Sequence, residues 1–358
     1  MKKLYSFFIS TLLVSSAVCA GGTDYTKGLA IWFDAPNTLQ GHAVWYGGRP
    51  DMWKGENKPE TAGDTARNPD AAWESQSLPI GNGSIGANIM GSVEAERITL
   101  NEKTLSRGGP NTAKGADYYW NVNKQSAHIL DEIRKAFTEG DQVKAERLTR
   151  QNFNSEVPYE GSREKPFRFG SFTTMGEFYV ETGLNIIGMS DYKRILSLDS
   201  AMAVVQFKKD DVAYQRNYFI SYPANVLVMR FSADRPGKQN LIFSYAPNPV
   251  STGSMVAQGD NGLVYSAALD NNGMKYVVRI QAETKGGTLV NRNGKLTVKG
   301  ADEVVFYVTA DTDYKANFAP DFKNPKTYVG VNPVETTGQW LANAVAKGYS
   351  ALLNEHYQ

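Results

Sequence analysis

Ala201-Met202-Ala203-Val204-Val205-Gln206-Phe207 and Val212-Ala213-Tyr214-Gln215-Arg216-Asn217-Tyr218-Phe219-Ile220 are two β-branched and aromatic runs, separated only by Lys208-Lys209-Asp210-Asp211. Each run alternates with a period of two, and the polar tetrapeptide between them reads as a hairpin turn. The same reading extends outward in both directions. Upstream, Leu29, Ile31 and Phe33 share one side of a short strand. Downstream come Val226 to Phe231, Leu241 to Tyr245, Leu263 to Leu269 and Met274 to Ala282, the last two joined by Asp270-Asn271-Asn272-Gly273. Asn293-Gly294 marks a further turn before Leu296 to Val298 and Val304 to Thr309. An Asn-Gly pair supplies the positive φ that tight hairpins require. Many strands at short spacing with hairpin chemistry between them predict a mainly β protein, a large antiparallel β-sandwich (super-sandwich) and not a βαβ sheet.

Two helical features interrupt the pattern. Between Asn123 and Glu139 the residues Leu130, Ile133 and Phe137 recur at helical spacing, Gly140 stops the helix, and Asp141 is placed to cap a second one carrying Val143 and Leu148. This is an inserted helical hairpin whose apolar stripe should face the core. Residues 155–169, with Pro158 and Pro166, read as a surface loop. After Pro320, Pro325 and Pro333, Thr336 or Thr337 can cap a C-terminal linker helix in which Leu341, Val345, Tyr349 and Leu353 step by four. No terminating signal follows before Gln358, so the expectation is a helix interrupted in mid-element and frayed at its end, with Leu341, Val345, Tyr349, Leu352 and Leu353 unable to face one surface together. The domain reading is a signal peptide over 1–20, a β-sandwich over 21–318, and a linker with the start of a helix over 319–358.

Composition agrees with a globule. The 358 residues are 41% hydrophobic, 11% aromatic and 21% charged, with 33 Gly and 15 Pro. Lys plus Arg number 38 against 37 Asp plus Glu, and removing Lys2 and Lys3 with a leader takes the formal charge from +1 to −1. No electrostatic footprint for nucleic acid or an anionic membrane follows. Lys2-Lys3, the apolar run Leu4 to Val14, and Val18-Cys19-Ala20 before Gly21 have the three-part layout of a secretory signal, so export to the periplasm or medium after cleavage at Ala20 is expected. Lipoprotein anchoring at Cys19 is the lesser alternative, because Val18 is bulkier than such a site prefers. The apolar run is too short for a spanning helix, and no transmembrane segment is expected. Cys19 is the only cysteine. Its loss with the leader would leave no disulfide or thiol chemistry.

Gly81-Asn82-Gly83-Ser84-Ile85-Gly86 matches G-x-G-x-x-G, but residues 87–100 read as strand, turn and strand, and not as the helix a nucleotide phosphate needs. A tight turn between strands is the better reading. Asn82-Gly83-Ser84 also fits a glycosylation acceptor. His42, His128 and His356 are dispersed, so no metal is expected, and no cofactor. Asp311 and Asp313 read as solvated loop charges, with a structural calcium left open. The tract from Trp73 to Trp120 gathers Glu74, Asn111, Tyr118 and Tyr119 around the candidate substrate-binding residues Trp73, Asn82, Asn101, Glu102, Arg107 and Trp120. Amide, carboxylate, guanidinium and aromatic groups hydrogen-bond sugar hydroxyls and stack on sugar faces, so a carbohydrate partner is the expectation. The competing reading is that these aromatics pack beneath a loop.

The ordered series Leu78-Pro79-Ile80-Gly81-Asn82-Gly83, Gly86, Gly91, Glu96-Arg97-Ile98, Leu100-Asn101-Glu102, Thr104-Leu105 and Gly108-Gly109-Pro110 resembles the amino-terminal β domain of glycoside hydrolase family 95, the α-L-fucosidase and α-L-galactosidase family. Gly176-Glu177, Tyr192 with Arg194-Ile195-Leu196, Leu198-Asp199, Arg216 with Tyr218-Phe219-Ile220-Ser221-Tyr222-Pro223, and Asp311-Thr312-Asp313-Tyr314 continue it, over residues 28–356. Ser106-Arg107 departs from the Trp-Ser the family commonly carries there. The resemblance implies an inverting hydrolase whose β domain is joined by helices to an (α/α) toroid holding the acid Glu and the Asn and Asp that activate water. Such chemistry needs groups on both sides of the glycosidic carbon. None of those positions has a counterpart here, so no catalytic residue is assigned and the chain alone is expected to be inactive, with a separately encoded toroid as a conceivable partner. The alternatives are an independent carbohydrate-binding module and a hydrolase site within the β domain built on carboxylates such as Glu74 and Glu102.

Overall fold

The computed structural model describes residues 24–26, 28–37, 73, 76–108, 126–153, 171–270, 272–321 and 324–358. Its strands are β1 (Ala30–Phe33), β2 (Leu78–Gly81), β3 (Ile85–Ile89), β4 (Ala95–Glu102), β5 (Ser106–Arg107), β6 (Ser171–Phe172), β7 (Gly176–Glu181), β8 (Met189–Ser197) and β9 (Met202–Lys209). There follow β10 (Val212–Ser221), β11 (Val226–Ala233), β12 (Gln239–Pro247), β13 (Ser251–Gln258), β14 (Gly262–Leu269), β15 (Lys275–Lys285), β16 (Thr288–Arg292), β17 (Lys295–Ala301) and β18 (Glu303–Thr312). The helices are α1 (Leu130–Thr138), α2 (Gln142–Phe153) and α3 (Val334–His356).

The strands form an antiparallel nine-stranded sheet, order β1-β8-β9-β10-β11-β18-β15-β14-β13, and a seven-stranded sheet, order β16-β17-β12-β7-β4-β3-β2, with β5 and β6 as a separate pair. The expected β-sandwich is therefore present. The alternating runs specify it directly. Val212 pairs with Lys209, so the β9–β10 turn is only Asp210-Asp211, both with positive φ (50° and 58°). That is tighter than the four-residue link read from the sequence. Short carboxylate side chains tolerate this backbone better than most, through local hydrogen bonding.

The main core lies between the sheets, where Phe178, Val180, Phe243, Tyr218, Phe231 and Phe306 are fully or almost fully buried. A second core lies on the outer face of the nine-stranded sheet, where Ile195, Val204, Phe219, Val228 and Val305 meet Leu341, Ala344 and Leu352 of α3. This explains why alternation in β10 gives way to continuous burial over Arg216 to Ser221. One face of that strand meets the sandwich core, and the other lies beneath a helix.

The end of α3 departs from the expectation of fraying. The helix starts at Val334 after Pro333, with Thr337 inside its first turn, donating from Oγ1 to the Pro333 carbonyl at 2.7 Å. It is broken at Gly348, whose φ of 74° and ψ of 167° are accessible to glycine at little cost. The break resets the apolar stripe. Tyr349 and His356 therefore reach Phe219, with ring centroids 6.0 and 4.8 Å away, and Leu352 is fully buried. Lys347 Nζ clasps Glu355 across the elbow, 2.7 Å from Oε1 and 2.8 Å from Oε2. A single straight stripe was the wrong premise.

The α1–α2 hairpin is as read, with Asp141 Oδ1 accepting from the Lys144 N–H at 2.9 Å. Its stripe does not face the sandwich core. Ile133, Ala136 and Ala145 form a small cluster of their own, while Phe137 and Val143 are exposed. The two helices are amphipathic towards each other.

Candidate functional site

Two polar assemblies sit at opposite ends of the sandwich. At the β3–β4 turn, Glu96 is buried between the sheets and accepts from Gly91 N–H (2.7 Å), Arg216 Nη1 (3.1 Å) and Tyr218 Oη (2.9 Å). Arg216 also donates to the carbonyls of Ser92 (2.5 Å) and Val93 (2.8 Å). Burial, and then Glu96, push the Tyr218 hydroxyl well above its ordinary value of 10.0, so it is a donor at any physiological pH. Tyr192 donates to the Gly91 carbonyl, and the Arg194 guanidinium lies 3.9 Å over the Phe33 ring while donating to the Ala35 carbonyl at 3.1 Å. Glu96, Arg216, Tyr218 and Tyr192 are spent on holding this turn, and Arg194 on holding the chain at Ala35 and Gln76 beside it. Residues that carry much of the family resemblance thus serve as an internal clamp.

The other end collects four of the six candidate residues. Asn82 caps the β2–β3 turn, its Oδ1 accepting from Ser84 and Ile85 N–H, while Nδ2 donates to the Ser221 carbonyl (3.1 Å) and Asn225 Oδ1 (2.8 Å) of the β10–β11 turn. The glycosylation-acceptor amide is therefore fully engaged in joining the two sheets. Asn101 faces outward on β4, opposite Gly86, with a buried Oδ1 that accepts no hydrogen bond from the described residues. Glu102 faces inward and is 2% exposed, its Oε2 accepting from Thr104 N–H (2.8 Å) and Oγ1 (2.5 Å). Burial raises its pKa above 4.5, the Thr104 hydrogen bonds pull the other way, and Asp311 raises it further. Arg107, on β5, is half-buried near Asp270, and the adjoining backbone is pinned by Asn272 Nδ2 donating to the Ser106 (2.7 Å) and Gly108 (3.0 Å) carbonyls.

Asp311 and Asp313 belong to this end too, and the expectation of solvated loop charges fails for them. Asp313 is 5% exposed and its Oδ1 accepts from Lys275 N–H at 3.0 Å. Burial raises both carboxyls above 3.8. Among the described residues no group of three or more His, Cys, Asp and Glu is placed to hold a metal ion.

Trp73 is elsewhere, over the outer face of the seven-stranded sheet. Its Nε1 donates to Thr99 Oγ1 at 2.8 Å, and Thr99 leads to Glu177, which receives Arg97 Nη2 at 2.6 Å in a pair that is 0% and 1% exposed. Sequence reading missed that ion pair. Its signal was present in the strict alternation of Arg97 and Thr99 with the inward Ile98 and Leu100. Trp120, Glu74, Asn111, Tyr118, Tyr119, His42 and the leader lie outside the described residues.

The chain is mainly β and two-sheeted, with one end bearing amide, guanidinium and carboxylate groups. It belongs to the glycosyl hydrolase family 65 N-terminal domain family, whose model matches residues 64–317. It is 29% identical over 292 residues to "Probable alpha-fucosidase A" of Aspergillus niger (78% of this chain, 34% of that protein), and 24% identical over 323 residues to "Alpha-L-fucosidase 2" of Arabidopsis thaliana (83% and 34%). Among solved structures, a "Putative kojibiose phosphorylase from human microbiome" is similar over 80% of this chain and 36% of its own, at 10% identity and a TM-score of 0.42. The chain spans about a third of the length of the curated relatives it matches. The resemblance to the amino-terminal β domain of a family 65/95-type enzyme is borne out.

Proposed function

We propose that this chain is the amino-terminal β domain of an exported α-L-fucosidase-like hydrolase of the family 95 kind, acting on fucosylated or L-galactosylated glycans. The observation that carries this reading is the match to α-fucosidases along some four fifths of this chain but only about a third of theirs. Glu102, the β domain's candidate carboxylate, is almost wholly buried and hydrogen-bonded to Thr104, which speaks against a hydrolase site built on it. The acid and water-activating groups then lie in a toroid outside this chain, and the Asn101 and Arg107 end contributes contacts to glycan. Export rests on the leader layout, with cleavage after Ala20.

A second reading, an independent carbohydrate-binding module, is favoured by the close packing of α3 on the sheet. One experiment separates the two. Purified residues 21–358 are incubated with 2'-fucosyllactose, alone and with a fucosidase toroid domain supplied separately. No released fucose alone, and turnover on adding the toroid above that of the toroid by itself, is the expected outcome. Turnover by the chain alone, surviving removal of contaminating glycosidases, overturns it. Glycan binding without any effect on the toroid favours the module.

A further inference from the structure

The elbow of α3 leaves an open groove of about 610 Å³ on the outer face of the nine-stranded sheet. Its floor is β15 and β18, where Glu283 pairs across from Val305 and so sits diagonally between Glu303 and Tyr307. Its walls include Lys347, Tyr349 and Ser350 of the elbow on one side and Asn261 and Lys285 on the other. The volume lies inside the range of about 300–1,000 Å³ usual for small-ligand pockets.

The chemistry of the lining is specific. Glu283, Glu303, Lys285 and Lys347 line it, and with Arg230 held on Glu303 and Lys347 on Glu355 the three carboxylates and three cations in and beside the groove balance. Glu283 and Glu303 are each held in place by one oxygen. Tyr307 donates to Glu283 Oε2 at 2.9 Å, and Arg230 donates to Glu303 Oε2 from Nε (2.8 Å) and Nη2 (2.5 Å). In each case Oε1 receives no hydrogen bond from the described residues, so it is available to a ligand. Arg230 is itself fixed, 5.0 Å over the Tyr349 ring. A lone cation would meet the lysines and a lone anion the carboxylates. A neutral ligand bearing many hydroxyls would find oriented acceptors, donors and the tyrosines together.

We propose that this groove is a second carbohydrate site, taking a neutral oligosaccharide, with Glu283 and Glu303 accepting from its hydroxyls and Lys285 and Lys347 donating to it. It is distinct from the Asn101 and Arg107 end. Glu303 opens β18 and Asp311 lies near its close, eight residues on, which is about 26 Å of strand. It does not depend on the chain being part of a fucosidase.

The test uses the whole mature chain. Lactose, cellotriose, maltotriose and 2'-fucosyllactose are titrated by saturation-transfer NMR and calorimetry, with calcium chloride and inorganic phosphate as charged probes. Saturable binding of at least one sugar is expected, with a dissociation constant of about 1 mM or lower. Glu283→Gln should weaken it by about tenfold, and Ser350→Trp, at an exposed helix position, should block it by filling the groove. Arg134→Ala, exposed on the α1–α2 hairpin and outside both polar ends, should leave it unchanged. Failure of all four sugars to bind, binding indifferent to both groove variants, binding abolished by Arg134→Ala, or binding of calcium or phosphate alone would each overturn the proposal.

Discussion

Arg216 Nη1 lies 3.1 Å from Glu96 Oε2, between side chains that are 2% and 0% exposed, and joins β10 of one sheet to β4 of the other. The pair does more than cancel two charges. Arg216 reaches from the opposite sheet to the Ser92 and Val93 carbonyls while Glu96, on β4 itself, accepts from the Gly91 N–H, so these backbone groups of the β3–β4 turn are satisfied from both sheets.

Arg216→Ala should therefore cost about 3–5 kcal/mol, the range for leaving a buried charge without its partner. The double change Glu96→Leu with Arg216→Met should not recover the loss, because Tyr218 Oη, the Gly91 N–H and the Ser92 carbonyl remain without partners, only the Val93 carbonyl keeping one in Thr182 Oγ1. Urea midpoints of the three proteins decide this. A double variant as stable as the wild type would reduce the clamp to a replaceable ion pair.

Glu102 predicts the sign of part of the pH dependence. Its folded pKa is raised above the ordinary 4.5, chiefly by burial, so folding favours its protonated form. The stability it contributes is fully present below 4.5 and is lost as the pH rises through the raised folded value. Asp311 and Asp313, both raised by burial, act in the same direction from 3.8 upward. Glu102→Gln keeps an acceptor for Thr104 and should flatten that decline. Unfolding free energies measured from pH 4 to 8 that run parallel in the two proteins would refute this account.

Two glycine substitutions should differ for a stated reason. A Cβ on Gly176 would lie 2.4 Å from the Ala246 carbonyl oxygen and 2.9 Å from the Tyr245 ring, at a φ of +148°. Gly348 has a φ of +74° but no heavy atom within 4 Å of a built Cβ. Gly348→Ala should cost about 1–3 kcal/mol, from backbone strain alone, because its φ and ψ fall in a region essentially confined to glycine. Gly176→Ala should cost several times more, or prevent folding, because backbone of β12 must move. Equal losses in thermal midpoint would contradict the distinction.

The far arm of α3 should behave as core. Amides of residues 349–356 are expected to exchange as slowly as those of β10 beneath them, and Leu352→Ala to cost about 2–5 kcal/mol. Rapid exchange over the arm, with the rest of the helix protected, would restore the frayed end that periodicity alone suggests.

The strands were legible because period-two alternation and turn residues are local signals, and they carry through from Leu29 to Thr309. Less legible was anything decided by what covers a strand. Phe219 and Phe231 look alike in sequence, yet one lies under α3 and the other in the sandwich core. Gly348 was overlooked because a glycine within a helical stripe looks tolerable until its φ is known. Gathering Asn82, Asn101, Glu102 and Arg107 at one end was within reach, since hairpin order places those turns together. That Glu102 points inward while Asn101 points outward follows from alternation, but which face is buried does not.

Because α3 lies across the nine-stranded sheet, tolerance to substitution must vary along the chain in a way that secondary structure alone does not foretell. In β16, with exposure alternating residue by residue, every second position is open to change. In β18, seven consecutive residues, Val304 to Ala310, are buried, so neither face has room for drift. A relative without the helix would have about half of those positions freed, and its β18 could take the ordinary two-faced pattern.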